Sequence, residues 1–145
     1  PGCGAPLSPT LPRKIHSHLD HPGPPVLAAP PAAGRPPPTA HGRPQSSVIF
    51  VDYDGDTLLF STIEGRLKTR NMVRDPRVSL LVLSRIDGRY VEVRGRVEIT
   101  DDPDKTLLTA MYAKYMGGAT PPPEPEAHRL IVRILPERVY VFPPA

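Results

Sequence analysis

Between Phe60 and Val82 the chain places Arg66, Lys68, Arg70, Arg74 and Arg77, with only Glu64 and Asp75 as acids. Two hydroxyl residues, Ser61 and Thr62, come just before them. Residues of these types in this order suit the binding of a phosphate. Hydroxyls at a strand end can donate hydrogen bonds, and the orphan N–H groups and positive dipole end of a following helix favour an anion. If that helix begins near Leu67, Arg66 and Lys68 fall in its first turn. Arg66, Arg70 and Arg74, spaced by four, then form one stripe, and Lys68 points to another side. The stripe alone is read more simply as a solvated cationic face. No Ser-His-Asp or metal-ligating constellation is present, so no catalytic side chain and no metal ligand is singled out.

Other patterns carry less. His16, His18 and His21, with Cys3, could ligate a metal, but a flexible tail fixes no geometry and solvated side chains are expected. "DYDGDT" (Asp52, Asp54, Asp56) resembles a calcium loop only superficially. Its glycine, Gly55, is misplaced and Ile63 stands where the last ligand belongs, so a hairpin turn is expected.

The elements that must position the cationic cluster are legible in the periodicity. Gln45–Tyr53 is β-branched and apolar, and reads as a strand; "DGD" is a turn, and Thr57–Thr62 the second strand of a hairpin. "RLKTRNMVRD" reads as a helix that stops at Asp75-Pro76, because a residue before proline is pushed out of helical geometry. Arg77–Ser84 is a strand, "RIDGR" a turn, and Tyr90–Thr100 a long strand with one wet face and a bend or bulge at Gly95. A second helix follows, with Asp102 as N-cap, Pro103 in its first turn and Gly117 as its stop. Leu107, Met111 and Tyr115, flanked by Leu108 and Tyr112, form an apolar stripe that reads as core. "HRLIVRIL" and "RVYVF" close the chain as two strands separated by Pro136. Six strands and two short helices predict a mostly β protein, a small β-barrel with helices at its ends.

Composition divides the chain of 145 residues. Residues 1–42 hold twelve of the 22 prolines, four of the five histidines and no Phe or Tyr. So little large apolar surface cannot offset the entropy of ordering. This stretch is expected to be an extended, unpaired tail and not the native start of the domain, its mixture being what GC-rich DNA yields out of frame. Residues 43–145 are the expected folding unit. The formal charge is +3, yet residues 43–145 carry fifteen Lys and Arg against fourteen Asp and Glu. Nucleic acid is therefore not an expected partner; functional positive charge has to be local. Cys3 is the single cysteine, which excludes an internal disulfide and fits a reducing compartment. No apolar run approaches the ~20 residues of a membrane span, and prolines interrupt any signal-like run. A cytoplasmic protein without membrane contact is the expectation.

"GRPQSSVIFVDYDGDTLLFSTIEGRLKTRNMVRDPRVSLLV", with its R-x-K-T-R-N-(x)3-D-P-R-x-S-L run, and the ending "PERVYVFPP" resemble the pyridoxamine 5′-phosphate oxidase-like family of split β-barrel flavoproteins. The resemblance covers Gly42–Ala145 and is greatest to the branch that uses the deazaflavin coenzyme F420. It implies an FMN-binding-like split barrel and an oxidoreductase that passes hydride from reduced F420 to a small organic acceptor. FMN in the same site is the runner-up, and a non-catalytic flavin- or haem-binding protein the rival of another class. By resemblance, main chain at Ser46, Ser47 and Val48 lies along the isoalloxazine ring. Ser61 and Thr62 contact the cofactor, and Arg66 and Lys68 hold its phosphate. The family's homodimers place the cofactor at the subunit interface, which implies that the closing strands and the Tyr112–Tyr115 region line the partner's side. Because the cofactor carries the redox chemistry, no catalytic constellation is required.

Two departures from the family pattern follow. Pro-rich sequence stands where the family has a helix and a first strand, and "VLAA" (Val26–Ala29) is too short and too closely flanked by prolines to replace that strand. One wall of the barrel is therefore expected to be missing. The C-terminal Arg-x-His motif of true pyridoxamine phosphate oxidases is also absent, which argues against oxidation of vitamin B6 itself.

Overall fold

The computed structural model of the chain describes residues 26–29 and 44–144. In order, they form β1 (Val26–Ala29), β2 (Gln45–Val48), β3 (Asp52–Tyr53), β4 (Leu58–Ile63), α1 (Leu67–Arg74), β5 (Arg77–Leu83), β6 (Tyr90–Asp101), α2 (Thr106–Tyr115) and β7 (Arg129–Phe142). The strands make one sheet in the order β2-β1-β5-β6-β7-β4-β3, antiparallel throughout.

Alternation decides which faces turn inward. Leu58, Phe60 and Thr62 on β4, Val78, Leu80 and Val82 on β5, Val91 and Val93 on β6, and Leu130, Val132 and Ile134 on β7 are all buried. All of these but Thr62 and Leu130 meet in one core with Leu27, Ile49, Val51 and Met72. The two edge strands, β2 and β3, are separated in the chain only by Ile49–Val51. A seven-stranded sheet whose opposite edges are joined by three residues has to curl until those edges meet. The result is the mostly β split barrel that the sequence predicts.

Three expectations are corrected. First, Val26–Ala29 does form a strand. Val26 to Ala29 pair with Val48 to Gln45 on one side, Val26 to Ala28 with Leu81 to Ser79 on the other, and Leu27 enters the core. In the sequence the prolines stand at 25 and 30, outside these four residues, so no donor is lost from the ladder. The wall expected to be missing is in place, and the rest of residues 1–42 lies outside the described residues.

Second, Gln45–Tyr53 is divided between the two edges of the sheet and is not one strand, whereas β7 is one strand where two were expected. Pro136 sits buried within β7 opposite Gly95. The register shifts there: Gly95 pairs with Pro136 and Arg94 with Arg138, leaving Glu137 as the extra residue of a bulge. The irregularity expected at Gly95 is found, and it accommodates the proline that was expected to end the strand.

Third, α2 begins at Thr106, not next to Asp102, and Lys105 occupies the N-cap position with φ 54°. Asp102 still supplies the cap from further back. Its carboxylate accepts from the Thr106 amide at 2.9 Å, the Thr106 hydroxyl at 2.7 Å and the Leu107 amide at 3.0 Å. α1 starts at Leu67 and ends before Asp75, as expected, and α2 ends before Gly117. No described helix is long and apolar enough to cross a membrane.

The Asp54 turn uses its carboxylate internally. Asp54 Oδ1 accepts from the amides of Asp56 (3.1 Å) and Thr57 (2.7 Å), and Oδ2 accepts from the Thr57 hydroxyl (2.8 Å) and pairs with Arg133. Burial pushes the Asp54 pKa up, but these bonds together outweigh it and hold the group at about 2.

Candidate cofactor site

Helix α1 closes the gap between the free stretch of β4 and the edge strand β2. On the β4 side, the Thr69 hydroxyl donates to the Ile63 carbonyl at 3.0 Å and lies 3.2 Å from the Thr62 hydroxyl. On the β2 side, Asn71 Nδ2 donates to Gln45 Oε1 at 3.0 Å. Buried Thr69 and Met72 fix the inward face of α1, which leaves its first turn at the protein surface.

Each sequence-predicted residue can now be placed. Ser46 and Val48 are exposed on β2 and Ser47 is half-buried. β2 pairs only with β1 among the described residues, so its outer edge presents main-chain donors and acceptors. Ser61 lies on the outward face of β4. The Glu64 amide donates to the His128 carbonyl at 3.0 Å, so by alternation the backbone groups of Ser61 point away from β7, past the end of the short β3. Thr62 points the other way. Its side chain is 1% exposed and engaged with Thr69, so it fastens α1 to the barrel, and by the same alternation its backbone groups point to β7, so the cofactor contact expected of it is not supported.

The five cations of the opening cluster separate into distinct roles. Arg77 forms a forked pair with Asp75, through Nε at 2.9 Å and Nη2 at 2.6 Å, and is thereby neutralised. Arg70 donates to the Gly65 carbonyl at 3.1 Å. Arg74 is exposed in the last turn. Arg66, at the N-cap with extended backbone, and Lys68, in the first turn, remain. Lys68 is half-buried, and its pKa is lowered by that burial and then by the charges of Arg66 and Arg129. An ammonium held near other cations, with no carboxylate paired to it among the described residues, is a site to which an anion restores balance.

Arg129 was not among the sequence candidates. It opens β7 with its side chain only 11% exposed, and its Nη1 lies 3.5 Å from the Ser61 hydroxyl. The alternation of Arg129, Ile131 and Arg133 against Leu130, Val132 and Ile134 places it on the outward face, but only the pairing of β7 with β4 brings it to Ser61. That pairing spans 68 residues of sequence.

His128, beside it, bridges Glu64 and Asp101, with Nδ1 2.8 Å and Nε2 3.2 Å from their carboxylates. The Glu64 hydrogen bond foremost raises its pKa above 6.5. A raised pKa means that the protonated ring stabilises the folded state at low pH, and that this contribution fades as pH climbs through the folded value. Thermal melts from about pH 6 to about pH 9 should therefore show Tm declining just above the ordinary histidine range, and His128→Ala should remove that component. Identical slopes in the two proteins would show that the bridge is idle.

The linker between the sheet edges is clamped by α2. The Tyr115 hydroxyl donates to the Val51 carbonyl at 2.5 Å, its ring stacks on Phe50 at 4.8 Å, and Lys114 lies 3.4 Å from Asp52.

Comparison with known proteins places this geometry. The sequence profile of the pyridoxamine 5′-phosphate oxidase family matches residues 38–142. A solved structure described as an F420 reductase is 32% identical, with a TM-score of 0.75, over 90% of this chain and 98% of its own. A putative pyridoxamine 5′-phosphate oxidase from Listeria innocua shares the fold at 17% identity, with a TM-score of 0.66, over 89% of this chain and 95% of its own. An FMN-binding, pyridoxamine 5′-phosphate oxidase-related protein from Nostoc punctiforme shares it at 17% identity and a TM-score of 0.54, over 79% and 71% of the two chains.

Proposed function

The chain belongs to the pyridoxamine 5′-phosphate oxidase family, a family of flavin-binding split barrels, and from that membership we propose that it is an F420-dependent oxidoreductase. In this reading, hydride passes from the reduced deazaflavin to a small organic acceptor. One observation carries the reading: Arg66 and Lys68 stand at the start of α1, and Lys68 is a half-buried ammonium with no carboxylate paired to it among the described residues. The 32% identity to a protein described as an F420 reductase favours the deazaflavin.

The chain's own groups have three tasks. Arg66 and Lys68 hold the phosphate by charge-assisted hydrogen bonds, with Ser61 as a further donor. The open edge of β2 at Ser46, Ser47 and Val48 offers main-chain partners to the rim of the ring. Exposed apolar groups, among them Val48 at 65% and Phe50 at 42%, are then covered by a second copy of the chain, with the cofactor between the two. When bound, the coenzyme supplies the hydride chemistry.

Side-by-side titration with F420 and FMN tests the choice of cofactor, and sedimentation velocity read at the cofactor's visible absorption tests the assembly. Tighter binding of F420, carried by a species of twice the chain mass, is expected. Tighter binding of FMN would move the assignment to the FMN-dependent alternative, and bound cofactor on a single chain would refute the interfacial site. Binding without turnover of any acceptor would favour the non-catalytic alternative.

A further inference from the structure

The cationic corner contains a carboxylate as well as its cations. Glu124, in the loop after α2, accepts from Arg129 Nε through Oε2 at 2.9 Å and from Nη2 through Oε1 at 2.5 Å. Lys105 donates to the Glu124 carbonyl at 2.8 Å and lies 3.9 Å from Oε2. Two of the three guanidinium nitrogens of Arg129 are thus committed to one carboxylate, which fixes the plane of the group. The third, Nη1, faces Ser61, with no carboxylate among its contacts in the described residues.

We propose that Arg129 is a third ligand of the phosphate assigned to Arg66 and Lys68, and that Glu124 is the positioning residue that aims it. The proposal rests on that phosphate site. A free arginine on a strand surface samples many rotamers, and an anion that recruits it has to order it first. Here the fork to Glu124 has already done so, and Nη1 is directed to the side where Ser61 lies. The charge of Arg129 is felt at Lys68, which places the two cations within one electrostatic neighbourhood. Glu124 is held below the usual carboxylate range, first by its hydrogen bond from Arg129, with Lys105 and Arg66 adding to it. It therefore stays ionised across the physiological range and keeps the fork closed. Sequence order hides this unit, since its members come from β4, α1, the loop after α2 and β7.

The test compares two ligand pairs, each differing in phosphate: FMN with riboflavin, and F420 with its phosphate-free deazaflavin chromophore. The preference for the phosphate-bearing member is measured by fluorescence titration for the natural protein, Lys68→Ala, Arg129→Ala, Arg129→Lys and Glu124→Gln. Arg129→Ala should cut that preference about tenfold while leaving the phosphate-free ligand unaffected, and Arg129→Lys should recover little because an ammonium has no fork. Glu124→Gln should cost a few-fold in the same ratio, an effect that simple loosening of the loop would not confine to the phosphate. Because Arg129→Ala leaves Glu124 without its partner, Arg129→Ala with Glu124→Ala is the second variant, and it should show the same tenfold loss with an unchanged melt. If Lys68→Ala abolishes the preference and both Arg129 variants keep it, the inference is wrong and the phosphate site stands. If the natural protein shows no preference in either pair, the site reading fails and takes the inference with it.

Discussion

Lys68→Ala is expected to weaken binding of a phosphate-bearing flavin or deazaflavin about tenfold or more, because a charge-assisted hydrogen bond contributes roughly 1.5–3 kcal/mol. Arg74→Ala, on the same short helix but in its last turn, should change affinity far less. Both are surface cations of one element, so the contrast separates a placed contact from a general positive field. Equal losses at the two positions would sink the specific site. Folding should respond in the opposite sense. Burial and two neighbouring cations already disfavour the charged form of Lys68, so its removal should leave the thermal midpoint unchanged or raise it. A residue whose loss harms binding without harming the fold is placed there for a ligand.

The largest effect on stability is expected at Gly95. A Cβ there would lie 2.1 Å from the Leu135 carbonyl oxygen, 2.9 Å from its carbon and 3.2 Å from Pro136 Cα. All three are backbone atoms of the paired strand, so no side chain can swing aside. Gly95→Ala must open the bulge between β6 and β7 and should cost on the order of 3 kcal/mol or more. Gly117→Ala is the control. Gly117 has φ 62° and nothing within 4 Å of its would-be Cβ, so only backbone strain of about 1–2 kcal/mol is expected. Urea denaturation of the two variants gives the comparison, and similar midpoints would show that the close approach is readily relieved.

What was legible in the sequence is what local pattern encodes. The alternation in β4, β5 and β6 marks their buried faces, Asp75-Pro76 marks the end of α1, and Gly95 marks the irregularity in β6. The order of hydroxyls, turn and basic first turn is the local pattern on which the proposed phosphate site rests. The misses share one physical origin, since each depends on a partner distant in sequence. β1 has four ladder residues and is a strand because β2 and β5 pair with it on both sides. Pro136 is tolerated because Gly95 stands opposite. Thr62 reads as a donor beside Ser61, yet period-two alternation turns it inward, where Thr69 meets it. Arg129 becomes part of the site only through the pairing of β7 with β4, and nothing in "HRLIVRIL" distinguishes it from Arg133, which is paired instead with Asp54.

The linker Ile49–Val51 and helix α1 together determine how the seam of the barrel can breathe. From Val48 to Asp52 are four Cα–Cα steps, which reach at most about 14 Å even when fully drawn out. At that end the two sheet edges are joined by covalent bonds, further pinned by Tyr115 to Val51, and they act as a hinge. At the other end they are bridged by helix α1, through side-chain hydrogen bonds from Thr69 to Ile63 and from Asn71 to Gln45. That end is a latch. Any widening of the seam therefore pivots about Phe50 and is greatest at the far end, where α1 bridges Ile63 and Gln45.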